Sequence, residues 1–255
     1  MEIKPFYAFF TAQLRLIRNK IIAFSFLTVI LIVGFSFLAM KGSFDTAEFF
    51  ESFGLIVWLM IGLIGSNVSA NIGVSDFYEK TGLLILTQPV DRKTIITAKI
   101  LASFTSMLLP LIIIYLTGLL SGFLIYREIM PNALLSFGLS LLYTLSFISF
   151  VIGVGTISKE RSTPLTVGLT VSMLAVFVFA VFGKLLGIEP WFFLPYGGLI
   201  ISSIVTVPTL SHINPGNFFF YYIPYLWEAV VIMIVYLCIF LSISLFSYSK
   251  REVTK

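Results

Sequence analysis

Residues 100–126 read ILASFTSMLLPLIIIYLTGLLSGFLIY, a run of 27 residues without a charged side chain. A helix rises about 1.5 Å per residue, so about 20 such residues cross the roughly 30 Å hydrocarbon core of a bilayer. Five further uncharged runs of at least 20 residues flank this one, at residues 21–40, 52–75, 129–158, 162–183 and 229–249. The pattern predicts an all-α integral membrane protein with six transmembrane helices.

The composition agrees with a protein whose solvent is lipid. Hydrophobic residues make up 58% of the 255-residue chain and charged residues only 11%, whereas soluble domains carry about 25% charged residues. The length accommodates six helices and short connections, so residues 1–255 are expected to form a single transmembrane domain. Its spans are assigned to residues 21–40, 53–74, 100–126, 131–157, 163–183 and 229–249.

The positive charges are distributed unevenly between the two sets of connections. Thirteen of the 16 Lys and Arg residues fall on the side of the two termini. They are Lys4, Arg15, Arg18, Lys20, Lys80, Arg92, Lys93, Lys99, Lys159, Arg161, Lys250, Arg251 and Lys255. Only Lys41, Arg127 and Lys184 fall on the other side. The positive-inside rule therefore predicts a multi-pass protein of the cell membrane with both termini in the cytoplasm, and it explains the basic excess without nucleic acid.

The first 20 residues are predicted to form an interfacial helix. Apolar side chains recur at spacings of three and four, at Ile3, Phe6, Phe10, Leu14, Ile17 and Ile21. Lys4, Arg15 and Arg18 fall on another face. Such a helix lies at the inner membrane surface with its basic side toward anionic headgroups. The alternative is an inward extension of the first membrane helix.

Residues 184–228 contain a long stretch that is uncharged but interrupted by prolines. The prolines are Pro190, Pro195, Pro208, Pro215 and Pro224, and the longest piece between them, residues 196–207, has 12 residues. That piece is too short to span a membrane. Broken backbone at membrane depth is tolerated where protein or a cavity surrounds it. We therefore expect re-entrant or interfacial segments on the outer side, before the last helix; an ordinary aromatic extracellular loop is the alternative.

The connection between the second and third runs, residues 76–99, combines a short apolar segment with charged flanks. Residues 83–86 are apolar, and Gly82 and Pro89 bound them. Asp91 is expected to cap the next helix, with Val90 and Ile95 at the two positions of a hydrophobic staple. This is a candidate site for docking a cytoplasmic partner; a simple interfacial connector is the alternative.

Two asparagines and two glycines stand out within the runs. Asn67 and Asn71 are four residues apart and so share a helix face. Amides at this depth form hydrogen bonds between helices or line a translocation path. Gly118 and Gly122 form a GxxxG motif, which allows a close helix approach but is common in membrane helices.

The connection also carries a resemblance to a known family. Glu79-Lys-Thr-Gly82, the leucines that follow, Pro89-Val-Asp-Arg92 and Lys99 resemble the cytoplasmic signature of ABC type-2 exporter permeases. In that family a Glu-x-x-Gly-x-x-x-x-Leu-x-x-Pro-Val-Ser-Arg pattern precedes a lysine. Here the spacing differs slightly, and Asp91 replaces the usual serine while keeping the capping role. The C-terminal residues 246–253 are also similar to the family's terminus.

The resemblance implies a division of labour between subunits. Such permeases pair with a second copy or a paralogue, and each docks a cytoplasmic ABC ATPase subunit through the loop after the second span. The implied ATPase-coupling residues are Glu79, Gly82, Leu83, Leu84 and Leu86. The region 184–228 would form an extracellular gate, and substrate would usually move outward. The second and fifth spans would line the path, which gives Asn67 and Asn71 a candidate pathway-lining role.

The chain itself carries no recognisable ATPase motif. Its only Gly-Lys pair is Gly183-Lys184, and Val178 stands where a Walker A motif requires the earlier glycine. ATP and Mg²⁺ would therefore be bound by the partner. His212 is the sole histidine, there is no GxSxG motif, and no catalytic or metal site is expected.

Three other functions stay open at this point. A secondary transporter without an ATPase partner is the main alternative, but such carriers usually place ionisable groups inside their spans, and all 12 acidic residues here lie at or beyond the ends of the runs. An intramembrane enzyme lacks a site, and a non-transporting scaffold is not excluded by the sequence.

Overall fold

The computed structural model describes residues 3–42, 44–70, 72, 90–158, 160, 162–205 and 221–250. All the secondary-structure elements in this part of the chain are helices. Six helices are long and apolar enough to cross a membrane. They are α1 (Ile3–Lys41), α2 (Thr46–Ser69), α3 (Arg92–Tyr126), α4 (Ala133–Ile157), α5 (Thr163–Phe179) and α8 (Leu226–Lys250). Two short helices, α6 (Leu194–Gly198) and α7 (Ile200–Ser203), lie between the last two. The predicted six-helix membrane fold is confirmed.

Caps, rather than hydropathy, set where α2 and α3 begin. The Asp45 carboxylate accepts from the Thr46 N–H at 2.7 Å, and Glu48 accepts from the Asp45 N–H at 3.2 Å, which forms a capping box. Asp91 accepts from the Lys93 N–H at 3.2 Å, so the predicted cap is confirmed. Both helices start seven or eight residues before the predicted spans, because the uncharged run marks only the part that hydrocarbon can cover.

The first helix continues through the position where a break was expected. α1 has 39 residues and is therefore about 58 Å long, well beyond the hydrocarbon thickness. Residues 3–20 thus extend the first span, which differs from the separate interfacial helix predicted over residues 1–20. The sequence explains this, since neither glycine nor proline occurs between Pro5 and Gly34 to interrupt the helix. That residues 3–20 lie at the membrane surface stays a prediction.

Burial separates two central helices from four peripheral ones. Within their most apolar windows, α2 is 67% buried and α4 is 61% buried, whereas α1 and α8 are each 22% buried. α5 ends in a π-helical turn, Ala180–Leu185, and is also mostly exposed. α1 packs along α3, and α8 packs along α4. The apolar surfaces of the peripheral helices are therefore the ones available to lipid or to another membrane protein.

Two glycines of α3 leave space for aromatic side chains of α2 to pack against the α3 backbone. A Cβ atom at Gly118 would overlap the Phe53 ring, and one at Gly122 would lie 2.5 Å from Phe50 Cε1. Phe50 and Phe53 are both buried. The GxxxG motif of α3 therefore allows α2 to approach closely, and phenylalanine rings of α2 fill the space at the two glycines.

A second glycine contact joins α2 to α5 reciprocally. A Cβ at Gly62 of α2 would overlap Ser172 Oγ, and a Cβ at Gly168 of α5 would lie 2.6 Å from Ser66 Oγ. Each hydroxyl bonds to its own helix, with Ser66 donating to the Gly62 carbonyl at 2.6 Å and Ser172 to the Gly168 carbonyl at 2.9 Å. Small residues spaced by four on both helices thus bring the two backbones together.

Replacing Gly62 by alanine is expected to destabilise the protein by about 1–3 kcal/mol, the usual cost of overpacking, because the new methyl group would displace Ser172. The matched control is Gly138→Ala on α4, where an added Cβ meets no atom within 4 Å. Thermal unfolding of both purified variants in one detergent measures the difference. Equal melting temperatures would contradict the packing of α2 on α5.

Candidate functional site

Three side-chain hydrogen bonds connect different helices at one end of the bundle. They join Lys20 Nζ to the Asn67 carbonyl at 3.4 Å, Arg92 Nη1 to the Ser249 carbonyl at 3.3 Å, and Ser247 Oγ to the Thr156 carbonyl at 3.0 Å. The C-terminal ends of α2, α4 and α8 therefore share this end with the beginning of α3. We call it the basic end, because the sequence places thirteen Lys and Arg residues on this side.

Hydrogen bonds at the opposite end connect the remaining loops. Tyr126 donates to the Phe44 carbonyl at 3.1 Å, Asn132 Nδ2 to the Ile204 carbonyl at 3.1 Å, and Tyr236 to the Phe192 carbonyl at 2.7 Å. The connections thus alternate between the two ends, as six membrane crossings require. The assignment of the basic end to the cytoplasm rests on the charge distribution and stays a prediction.

The predicted ATPase-coupling residues, Glu79, Gly82, Leu83, Leu84 and Leu86, lie outside the described residues, as does Asn71. The described flanks of their loop are both attached to the basic end. Ile72 is buried, Val90 packs against the hydrophobic core, and Asp91 caps α3. A force on the loop would therefore reach α2 and α3 directly.

Asn67 is half-buried near the end of α2. Its Nδ2 donates to the Leu63 carbonyl one turn earlier, at 2.9 Å, so the amide is engaged within its own helix. Its backbone carbonyl accepts from Lys20. These contacts attach the end of α2 to α1, and the pathway-lining role of Asn67 stays a prediction.

The two short helices α6 and α7 are enclosed by the bundle. Every residue from Leu194 to Gly198 and from Ile200 to Ser203 is buried. A Cβ at Gly54 of α2 would overlap the Cα of Ser202, and one at Gly198 would lie 2.6 Å from the Trp58 ring. Backbone that is surrounded by protein is what a re-entrant segment requires at membrane depth. Residues 206–220 of the predicted re-entrant region lie outside the described part.

A buried hydroxyl network holds α7 against α3 and α4. The Tyr115 hydroxyl lies 2.8 Å from Ser136 Oγ and 2.7 Å from Ser140 Oγ, and Ser136 donates to the Ile201 carbonyl at 2.9 Å. Both serines are fully buried. Sequence reasoning missed this network, although Ser136, Ser140 and Thr144 recur every four residues and so share one face of α4.

A second polar contact fixes the approach to α6. Tyr196 donates to Glu189 Oε1 at 2.5 Å. Burial raises the pKa of Tyr196, and the hydrogen bond and charge of Glu189 raise it further. The phenol therefore stays protonated and remains a donor at physiological pH, which ties the chain ahead of α6 to the helix itself.

Within the described ranges, no group of three His, Cys, Asp or Glu side chains is placed to hold a metal ion. The loop between α2 and α3 starts and ends at the basic end, and α7 packs against the same α2 near the opposite end.

The Tyr115→Phe variant is expected to lose about 1–2 kcal/mol of stability, because it removes the hydroxyl shared by two buried serines. Tyr7→Phe is the matched control, since Tyr7 is 66% exposed. Chemical or thermal unfolding in detergent measures both. A loss no larger than that of the control would show that the network contributes nothing to the position of α7.

A comparison with protein families gives one match over nearly the whole chain. A family model described as ABC-2 family transporter protein matches residues 13–253. The matched region starts within α1 and ends beyond α8, so it includes the loop after α2 and the α6–α7 segment. A search of curated proteins found no match.

Proposed function

We infer that this chain, which belongs to the ABC-2 transporter family, is the permease of an exporter driven by a separate ABC ATPase subunit. The family match across all six membrane helices carries this inference. Family membership makes the chain the membrane permease of an ABC transporter; the separate ATPase subunit, the export direction and the coupling residues are our proposals.

The chain itself offers no Walker A site for ATP, so an ATP-driven exporter built on it needs a separate ATPase subunit. A Walker A motif places its glycine-rich loop between a strand and a helix, where backbone N–H groups surround the phosphates. The single Gly-Lys pair lies instead inside the π-helical turn at the end of α5. In a helix those N–H groups are used by the backbone, so the pair offers no phosphate site.

We propose that the ATPase docks on the loop between α2 and α3, with Glu79, Gly82, Leu83, Leu84 and Leu86 as its contacts. Two features of the described structure support a mechanical role for this loop. α2 contains no proline and is the most buried span, packing against α1, α3, α4, α5 and α7. A displacement of its basic end would therefore be transmitted to the rest of the bundle.

The same helix reaches the proposed outer gate. From Ser69 to Gly54 is 15 residues, or about 22 Å along the axis. At Gly54 the helix meets the backbone of Ser202 so closely that not even a Cβ atom fits between them, so a shift of α2 toward α7 would displace α7. We propose that ATP-driven movement of the loop shifts α2 and thereby releases or seals α6 and α7, with substrate leaving at that end.

A second permease copy or a paralogue would complete the path. α5 packs on α2 through Gly168, but its other face carries large exposed apolar side chains, including Met173, Leu174 and Phe177. We assign this face to the interface between permeases, with α2 and α5 nearest the path.

The coupling assignment predicts that Leu83→Asp combined with Leu84→Asp weakens co-purification with the ATPase subunit and lowers ATP-dependent transport, since two carboxylates would enter an apolar contact. The control is Ala12→Asp combined with Asn19→Asp, which adds the same charge at exposed positions of α1. Both proteins are first checked for a normal gel-filtration profile. Unchanged association in the Leu83/Leu84 variant would refute the assignment.

The predicted orientation, with the basic end in the cytoplasm, can be tested by labelling cysteines introduced at two exposed glutamate positions. In a Cys238→Ala background, Glu128→Cys between α3 and α4 should react with a membrane-impermeant maleimide in intact cells. Glu160→Cys between α4 and α5 should react only after lysis. Both glutamates are exposed, so access to the reagent decides the result. The reverse pattern would place the basic end outside.

A further inference from the structure

A groove of about 330 Å³ lies between α1 and α3 near the basic end. Its lining residues are Leu14, Arg15, Arg18, Ile21 and Ile22 of α1 and Thr105, Ser106 and Leu109 of α3. The groove therefore combines a charged rim, formed by the two arginines, with mainly apolar walls.

The two arginines are available to a ligand. Both are exposed, and among the described residues neither guanidinium has a hydrogen-bond or ion-pair partner. Lys20 and Arg92 differ, because each donates to a backbone carbonyl of another helix. Arg15 and Arg18 lie three residues apart on one helix face, so their planar guanidinium groups can approach one phosphate together.

The depth of the groove matches the surface of a bilayer leaflet. Arg18 and Lys41 are 23 residues apart on α1, or about 35 Å along its axis. The hydrocarbon core is about 30 Å thick, so with Lys41 at one headgroup layer Arg18 reaches the other. Ile22 and Leu109 then lie within the hydrocarbon, and they are 61% and 51% exposed.

We propose that this groove binds one anionic phospholipid of the leaflet at the basic end. Its headgroup phosphate contacts Arg15 and Arg18, and one acyl chain runs along Ile22 and Leu109. Charge complementarity selects an anionic headgroup, since an additional cationic group would be repelled by the two arginines. The apolar walls below them select a lipid over a free phosphate, which would use only the rim.

Binding there would bridge α1 and α3, and α3 is the helix that follows the proposed coupling loop. The site does not depend on the ATPase assignment, because it is built from the permease alone. Its test therefore uses the purified protein without nucleotide, and its failure would leave the proposed transport function untouched.

The experiment is native mass spectrometry of the protein equilibrated with equal amounts of dioleoylphosphatidylglycerol and dioleoylphosphatidylcholine in mixed micelles. The wild type is expected to retain the anionic lipid in preference, and R15Q combined with R18Q should reduce that preference about tenfold. Lys4→Gln combined with Lys93→Gln is the control, since it removes the same charge from exposed positions at the same end. No preference in the wild type, or an equal loss in the control, would overturn the proposal.

Two further arms separate a lipid from a simple anion. Leu109→Trp should lower lipid retention with both arginines intact, because the indole fills the apolar channel; Leu109 is half exposed, so the core is not disturbed. Inorganic phosphate at millimolar concentration should not displace the bound phosphatidylglycerol. Displacement by phosphate, or unchanged retention in Leu109→Trp, would exclude a site that holds the acyl chain.

Discussion

Hydrocarbon offers no hydrogen-bond partners, and this constraint governs how the polar side chains inside the bundle are bonded. Hydroxyl groups in the spans bond back to carbonyls of their own helix, as Ser66 does to Gly62 and Ser140 does to Ser136. Hydroxyls that bond within their own helix do not hold neighbouring helices together, and there glycines opposite phenylalanine rings and serines set the distances between helices. The hydroxyl network at Tyr115 is used where the irregular α6–α7 segment has to be held.

The position of α2 gives the fold its proposed mechanical function. It is one uninterrupted helix that begins at a capping box at one end and is followed at the other end by the loop that we propose as the ATPase contact. Close glycine contacts couple it to α5 in the middle and to α7 near its start. Because α2 packs against five other helices, we expect a displacement of its basic end to be passed on to the opposite end of the bundle.

The sequence predicts a local feature correctly where a single side chain is enough to produce it. Asp91 was predicted to cap α3 and does so, because a carboxylate next to free N–H groups needs no tertiary partner. The cap that Asp45 and Glu48 form was not identified from the sequence, and α2 begins seven residues before the predicted span. The separate helix over residues 1–20 was predicted from a charge pattern, yet no breaker residue supports a break at Lys20. The coupling residues rest on the family resemblance.

The sequence by itself determined the solvent, the number of crossings, the likeness to a transporter family and the side on which the positive charges gather. Hydropathy and charge add up along the chain, and the family likeness rests on a motif of residues close together in the chain, so none of these properties needs knowledge of neighbours in space. Only the tertiary structure decided that α2 and α4 form the centre, that α6 and α7 are buried against them, and that Arg15 and Arg18 stand over a groove with α3. Such contacts depend on how side chains far apart in the chain pack against each other, and properties added up residue by residue do not describe that packing.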